Sequence, residues 1–465
     1  MPSSPIIAPI NSKHVAAALV ATAALIFTPA WSASAMADDE DEGGPFPGIP
    51  DTSIGSSLPQ RLADPGGVRS RLARYGIQFG VNYIGEVLGN PSGGIKQSTH
   101  YDGVLDVVLE ADMEKMIGWK GLTFFANGYQ IHGTSISGEN LGSLAAVSNI
   151  EAFPSTRLFE LWFEQKLLDN KLSVRFGQLA ADAEFFIAEG GGNFIDSTFG
   201  WTTVSSDDIP VGGPIYPIAT PGVRVSFEPD DNLKIMAGLW NGDPVGPCPD
   251  DLDPGQCNEN GLDFRLKDPP LLIVEVAYSY NKEGAELPGT IKVGGWRHFG
   301  DFDDLKRDDN GGDALRHDGN HGLYAVIDQM IYRLPGDGDP KGISIFARVA
   351  GSPSDRNQID FYADAGLVFT GMIPARRSDV LGVAFAYSKI SNDASGFDRD
   401  AGMTIVRDYE TVLEISYTAE IVPGWYLQPD VQYFWNPGGH VPDHDDPTKA
   451  VPNAAVLGLR TTINY

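Results

Sequence analysis

The sequence predicts an all-β fold, a transmembrane antiparallel β-barrel of about 16 strands with short periplasmic turns, long external loops and one loop folded inward as a constriction. Three observations predict it. Counting back from Tyr465 in steps of two gives Ile463, Thr461, Leu459, Leu457 and Ala455, set against Asn464, Thr462, Arg460 and Gly458. A strand with lipid on one face and water on the other must alternate in this way, because successive side chains point to opposite sides of the sheet. Beyond the N-terminal region no run of about 18 apolar residues occurs, so no helix downstream is long enough to span a bilayer. Lipid offers exposed backbone no hydrogen-bond partner, which leaves a closed barrel as the spanning structure. Third, the connections between candidate strands alternate in length.

The chain opens with Lys13 and His14, an apolar run from Val15 to Phe27, and small residues through Ala33, Ala35 and Ala37. A run of roughly 13 residues is too short to cross a bilayer, and Ala35-Met36-Ala37 offers an A-x-A cleavage site, so residues 1–37 read as a secretory signal peptide. Acidic Asp38 to Glu42 follow. Residues 38–76 are rich in Asp, Gly and Pro and then pass into Gly67 to Arg74, where Val68, Leu72 and the arginines predict one short amphipathic helix. This segment is a periplasmic lead-in, and residues 77–465 form the barrel.

Alternation begins with Ile77, Phe79, Val81 and Tyr83. Predicted strands lie at 77–87, 102–112, 121–131, 157–168, 171–178, 221–228, 232–240 and 270–281. They continue at 289–298, 321–334, 342–350, 358–370, 379–389, 409–420, 424–435 and 454–465. Short connections (169–170, 229–231, 335–341 and 422–423) alternate with long ones (132–156, 179–220, 241–269, 299–320 and 436–453). Outer-membrane barrels keep short turns in the periplasm, so this phase places both the lead-in and Tyr465 there. A soluble β-sandwich has no reason to show it. Trp119, Trp201, Trp425, Tyr426, Phe434 and Trp435 fall near strand ends, where interfacial girdles use amphipathic rings, although some would pack under loops instead. A terminal aromatic resembles the assembly signal of bacterial outer-membrane barrels, which makes the barrel assembly machinery an expected partner and the Gram-negative outer membrane the expected location.

The balance of 33 basic against 62 acidic residues gives a formal net charge of −29. That disfavours nucleic acid as a partner. The densest acidic runs, Asp301 to Asp313, Asp393 to Asp400 and Asp443 to Asp446, read as solvated loops facing divalent cations and lipopolysaccharide. Cys248 and Cys257 are the only cysteines. In an exported chain their spacing favours a disulfide closing a small loop, and a metal site would need histidines that the segment lacks. His317 and His321 lie in a loop full of aspartates, where a calcium or zinc site is the alternative to solvated surface, but Asp308 to Asp313 has neither the ligand spacing nor the closing glutamate of a calcium loop. No G-x-S-x-G, H-E-x-x-H, Walker A or strand-to-helix G-x-G-x-x-G motif occurs. Neither enzyme chemistry nor a metal or other cofactor is expected.

The face opposite lipid is more informative. Setting Phe159, Leu161 and Phe163 outward sends Glu160, Trp162 and Glu164 into the lumen. The same phase places Arg175, Arg224, Lys234, Trp240 and Glu275 inward. Such a lining mixes both charge signs with tryptophan. A neutral polyol needs donors, acceptors and an aromatic face together, whereas a lining of one sign favours ions. The longest connection, 179–220, could fold inward with Glu184, Phe185, Phe186 and the flexible Gly190-Gly191-Gly192.

Several segments carry a family resemblance. Leu158-Phe159-Glu160-Leu161-Trp162-Phe163-Glu164-Gln165, Arg175-Phe176-Gly177-Gln178 leading to Ala183-Glu184-Phe185, and Tyr216-Pro217 with Pro221-Gly222-Val223-Arg224 are three of them. Asn241-Gly242-Asp243-Pro244 and Phe264-Arg265-Leu266-Lys267-Asp268-Pro269-Pro270 complete the ordered set. From about residue 68 to the C-terminus this order resembles the OprB-type carbohydrate-selective porins. The resemblance implies a 16-stranded outer-membrane barrel, passive uptake of glucose and other sugars, and a constriction of polar, charged and aromatic side chains. The expected contacts are Glu160, Trp162, Glu164, Arg175, Arg224, Trp240 and Glu275 on strands, with Glu184 and Arg265 from loops. Carboxylates would accept from sugar hydroxyls, arginines donate, and tryptophans stack. A general or cation-preferring porin and a surface adhesin or lectin barrel are the alternative readings. A homotrimer is common among porins, but no residue specifies one.

Overall fold

A computed structural model of the protein describes residues 48–249, 252–282, 287–305, 315–336, 341–444 and 446–465. The signal peptide assigned to residues 1–37 lies outside them. Sixteen strands close into an antiparallel barrel in which each pairs with its chain neighbours and the last with the first. They are β1 (Ile77–Ser92), β2 (Thr99–Asp112), β3 (Leu122–Gly133), β4 (Thr156–Leu167), β5 (Leu172–Leu179), β6 (Thr220–Phe227), β7 (Leu233–Asn241) and β8 (Pro270–Tyr280). The second half comprises β9 (Gly289–Asp303), β10 (Arg316–Arg333), β11 (Gly342–Gly351), β12 (Ile359–Thr370), β13 (Val380–Ile390), β14 (Tyr409–Val422), β15 (Trp425–Trp435) and β16 (Ala454–Asn464). All the predicted strands are present. Long loops gather at one end, among them loop 2 (134–155), loop 3 (180–219), loop 4 (242–269) and loop 8 (436–453), and short turns at the other.

The seam explains why the alternation at the C-terminus is so regular. Glu86 stands opposite Arg460 and Val87 opposite Leu459. The first pair is buried inside the barrel with Arg460 Nε donating to Glu86 at 2.7 Å, while Val87, Leu457 and Leu459 are exposed on the outer face. Tyr465 extends this pairing by exchanging backbone hydrogen bonds with Val81 at 2.7 and 2.9 Å.

The lead-in folds against this seam. A short helix spans Val68–Ala73, and Asp64 just before it accepts from the Arg69 N–H at 2.8 Å and the Ser70 hydroxyl at 2.6 Å. The Arg69 guanidinium then sits 4.6 Å from the Phe79 ring centre and 4.4 Å from that of Tyr465. The Tyr465 hydroxyl donates to the Leu62 carbonyl at 2.7 Å.

Two sequence expectations need correction. Phe159 does not face lipid: between Ala126 and Gly128 of β3 the partner jumps from Leu161 to Leu158, so β4 carries an extra residue there. The bulge turns Phe159 inward, where it packs 4.9 Å from Tyr129 and 6.2 Å from Tyr216. His317 is on β10 rather than in a loop, because β9 and β10 run beyond the ends expected from the sequence, and His321, where that strand was expected to begin, lies well within it; His317 bonds Asp304 at 2.9 Å. Of the six aromatics near strand ends, Trp201 and Phe434 are among those expected to pack inside instead of in a girdle, and both are fully buried. Trp201 belongs to loop 3, and Phe434 lies one step out of phase with Trp435.

Candidate functional site in the barrel lumen

Strands β4, β5 and β6 place Glu164, Arg175 and Arg224 side by side, since Glu164 pairs with Arg175 and Arg175 with Arg224 across the sheet. Two arginines directly opposite would repel. Glu184, at the start of loop 3, lies with Glu164 between them. Arg175 reaches Glu164 at 3.2 Å and Glu184 at 2.9 Å. Arg224 reaches Glu164 at 3.0 Å and clasps Glu184 through Nε and Nη2, the latter at 2.6 Å. The quartet carries no net charge. Its Arg175 and Glu184 edges retain partial exposure, whereas Glu164 and Arg224 are buried.

Beside the quartet, the Trp162 ring stacks on Phe125 at 4.7 Å and carries the Arg175 guanidinium 3.9 Å from its centre. Both faces of the indole are therefore occupied. Trp240 is buried too, with Phe185 edge-on at 5.6 Å and Gly222 and Gly238 so close that neither position has room for a side chain.

From the quartet, loop 3 crosses the interior and is tied to strand after strand. A loop inside a barrel must satisfy its own backbone groups, and wall side chains do so here. Glu160 accepts the Ala180 N–H at 2.9 Å, and Glu275 accepts the Phe186 N–H at 3.2 Å together with the Tyr324 hydroxyl at 2.8 Å. Phe186 stacks on Tyr324. Lys292 donates to the Ile187 carbonyl at 2.8 Å and lies 3.5 Å from the exposed Glu189, while Asp328 accepts the Gly190 N–H at 3.0 Å. On the opposite wall Glu414 accepts the N–H groups of Ile195 and Asp196 at 2.6 and 2.9 Å. Arg348, paired with Asp364 through Nε at 2.9 Å, donates to the carbonyls of Phe186, Thr198 and Gly200 at 3.2, 2.7 and 2.5 Å. Loop 2 follows the same rule. Glu410 accepts from Leu144 and Ala145 at 2.8 and 2.9 Å, and Arg460 donates to Ser148 and Asn149 at 3.0 and 2.8 Å.

The structure thus brings Trp162, Glu164, Arg175, Glu184 and Arg224 into one cluster. Glu160, Trp240 and Glu275 lie on the wall beneath loop 3. Arg265 stands apart on loop 4, paired with Asp268 at 2.5 and 2.8 Å. Cys248 and Cys257 are disulfide-bonded in the same loop. Sequence reasoning missed Lys292, Asp328, Arg348, Asp364, Glu410 and Glu414. Their signal was present: each is a charged residue on the inward phase of a strand, as Arg348 is between Phe346 and Ala350.

The family model for the carbohydrate-selective porin, OprB family, matches residues 96–465. Porin B of Pseudomonas aeruginosa is 24% identical over 441 aligned residues, covering 86% of this chain and 90% of that protein. Two solved structures of Pseudomonas putida OprB have the same barrel. The high-pH form gives a TM-score of 0.74 at 23% identity, with 86% of this chain and 97% of that one covered. The low-pH form gives 0.52 at 17% over the same shares.

Proposed function

The chain belongs to the OprB family of carbohydrate-selective porins, and from that membership we propose how its lumen selects. It is an outer-membrane porin for sugars. In this reading glucose and other small mono- and oligosaccharides pass down their gradients with no energy coupling. The observation that carries it is the charge-neutral quartet where loop 3 leaves the wall: paired acids and bases offer acceptors and donors without a net field that would draw ions. The open edges of Arg175 and Glu184, with Lys292 and Glu189 farther along the loop, would exchange hydrogen bonds with sugar hydroxyls weakly enough to permit exit. Trp162 and Trp240 shape the wall in this scheme rather than stacking on sugar, because their rings are already covered.

Liposome swelling with sugars of graded size and with like-sized amino acids tests it. Faster entry of sugars supports selection by hydrogen bonding, and equal rates for both classes would sink it. The acidic excess favours a second reading, a cation-preferring general porin, which would show strong cation selectivity and conductance that glucose or maltose does not block. For biogenesis we propose removal of residues 1–37, recognition of the Tyr465 strand by the barrel assembly machinery, and acidic external loops meeting lipopolysaccharide through divalent cations.

A further inference from the structure

Strands β5 and β6 contain 8 residues each, whereas a tilted spanning strand needs roughly 9–11. Their neighbour β4 contains 12, so its upper part outlasts β5. Loop 4 occupies that gap. The Leu158 N–H of β4 donates to the Asn260 carbonyl at 3.0 Å, Gln178 at the top of β5 donates to the Gly261 carbonyl at 3.1 Å, and Arg157 donates to the Asn258 carbonyl at 2.9 Å. Gly261 has φ +65° and approaches the Leu158 carbonyl so closely that a Cβ would lie 1.9 Å from it. The segment then returns to β7 and β8, where Asn241 bonds Asp268 at 3.0 Å and the Gly242 N–H reaches the Pro269 carbonyl at 3.1 Å. Between these attachments Leu262, Phe264 and Leu266 are 61%, 48% and 76% exposed, while Arg265 turns back to Asp268.

We propose that residues 258–268 complete the barrel wall above β5 and β6 and seat Leu262, Phe264 and Leu266 in the hydrocarbon of the outer leaflet. Continuity names the occupant: Phe176, Val223 and Val225 on the strands below are likewise exposed and belong to the lipid-facing band. Three large apolar side chains standing out beside that band extend it over the two shortest strands.

Nitroxide labels on purified protein in phospholipid bilayers test this directly, through collision with oxygen, which partitions into lipid, and with a water-soluble nickel chelate. Leu266→Cys and Phe264→Cys are expected to show an oxygen-to-nickel ratio several-fold above that of Thr448→Cys in loop 8, and close to that of Val225→Cys in β6. A ratio matching Thr448→Cys at both positions would overturn the proposal. So would spin–spin broadening that disappears when labelled protein is diluted with unlabelled, since a second copy would then cover the patch.

Discussion

Arg224 on β6 holds Glu184 of loop 3 with two nitrogens and reaches Glu164 of β4 with the second of them. One guanidinium therefore joins two strands of the wall to the base of the constriction. The arrangement suits arginine, whose planar fork can serve two carboxylates at once, as a lysine ammonium on a flexible stem cannot.

Removing that fork leaves two neighbouring carboxylates to share Arg175 alone. Arg224→Ala is expected to destabilise the barrel by about 3–5 kcal/mol, the scale for deleting one member of a buried ion pair. Urea denaturation in detergent measures it. Arg224→Lys should retain charge but recover only part of the loss.

Loop 3 is also fastened on the far wall, where the Arg348 side chain is 1% exposed and that of Asp364 0%. With either arginine lost, the other and the carboxylate ties between them are expected to keep the loop across the lumen. Arg224→Ala and Arg348→Met singly should thus raise single-channel conductance slightly, and together by more than the sum of the two. A strictly additive double variant would contradict arginine ties that back one another up.

Trp162 packs between Phe125 and Arg175, so its truncation opens the wall. Trp162→Ala is expected to cost about 3–5 kcal/mol of stability and to speed entry of all small solutes, sugars and amino acids alike. Loss of sugar entry alone, with amino acids unchanged, would instead make the indole a sugar platform.

The clasp of the lead-in on Tyr465 should respond to acid. Burial pushes the Asp64 carboxyl up, but the Ser70 hydroxyl, the N–H groups of Arg69 and Ser70 and the Arg69 charge hold it below its ordinary range. A carboxyl depressed on folding stabilises above its free value, about pH 4, and that contribution disappears as pH falls through the depressed one. A nitroxide at Leu62→Cys is expected to be immobile at neutral pH and to loosen in acid, while adding Asp64→Asn loosens it at both.

The strands were legible because lipid on one side and water on the other impose a period of two that nothing else in the chain imitates. The quartet was partly legible for the same reason: Glu164, Arg175 and Arg224 each break an apolar alternation on the inward phase. Glu184 was named as a residue of the inward-folding loop, but its pairing with both arginines was not legible, since a loop has no period. The far ties were hidden further, because Ile195 and Glu414 are separated by 219 residues and nothing local relates them. Phe159 was misplaced because a bulge changes the phase of a strand without leaving a sign in the sequence.

The way loop 3 is tied from Glu160 on β4 to Glu414 on β14 makes it a spoke across a wheel, and the bore is set by the spoke instead of the rim. A graft of residues 180–219 whose backbone took another path would leave Glu160, Asp328 and Glu414 without the loop N–H groups they now accept and Glu275 with the Tyr324 hydroxyl alone. Specificity in this barrel therefore has to be transplanted as a unit, loop and receiving wall together.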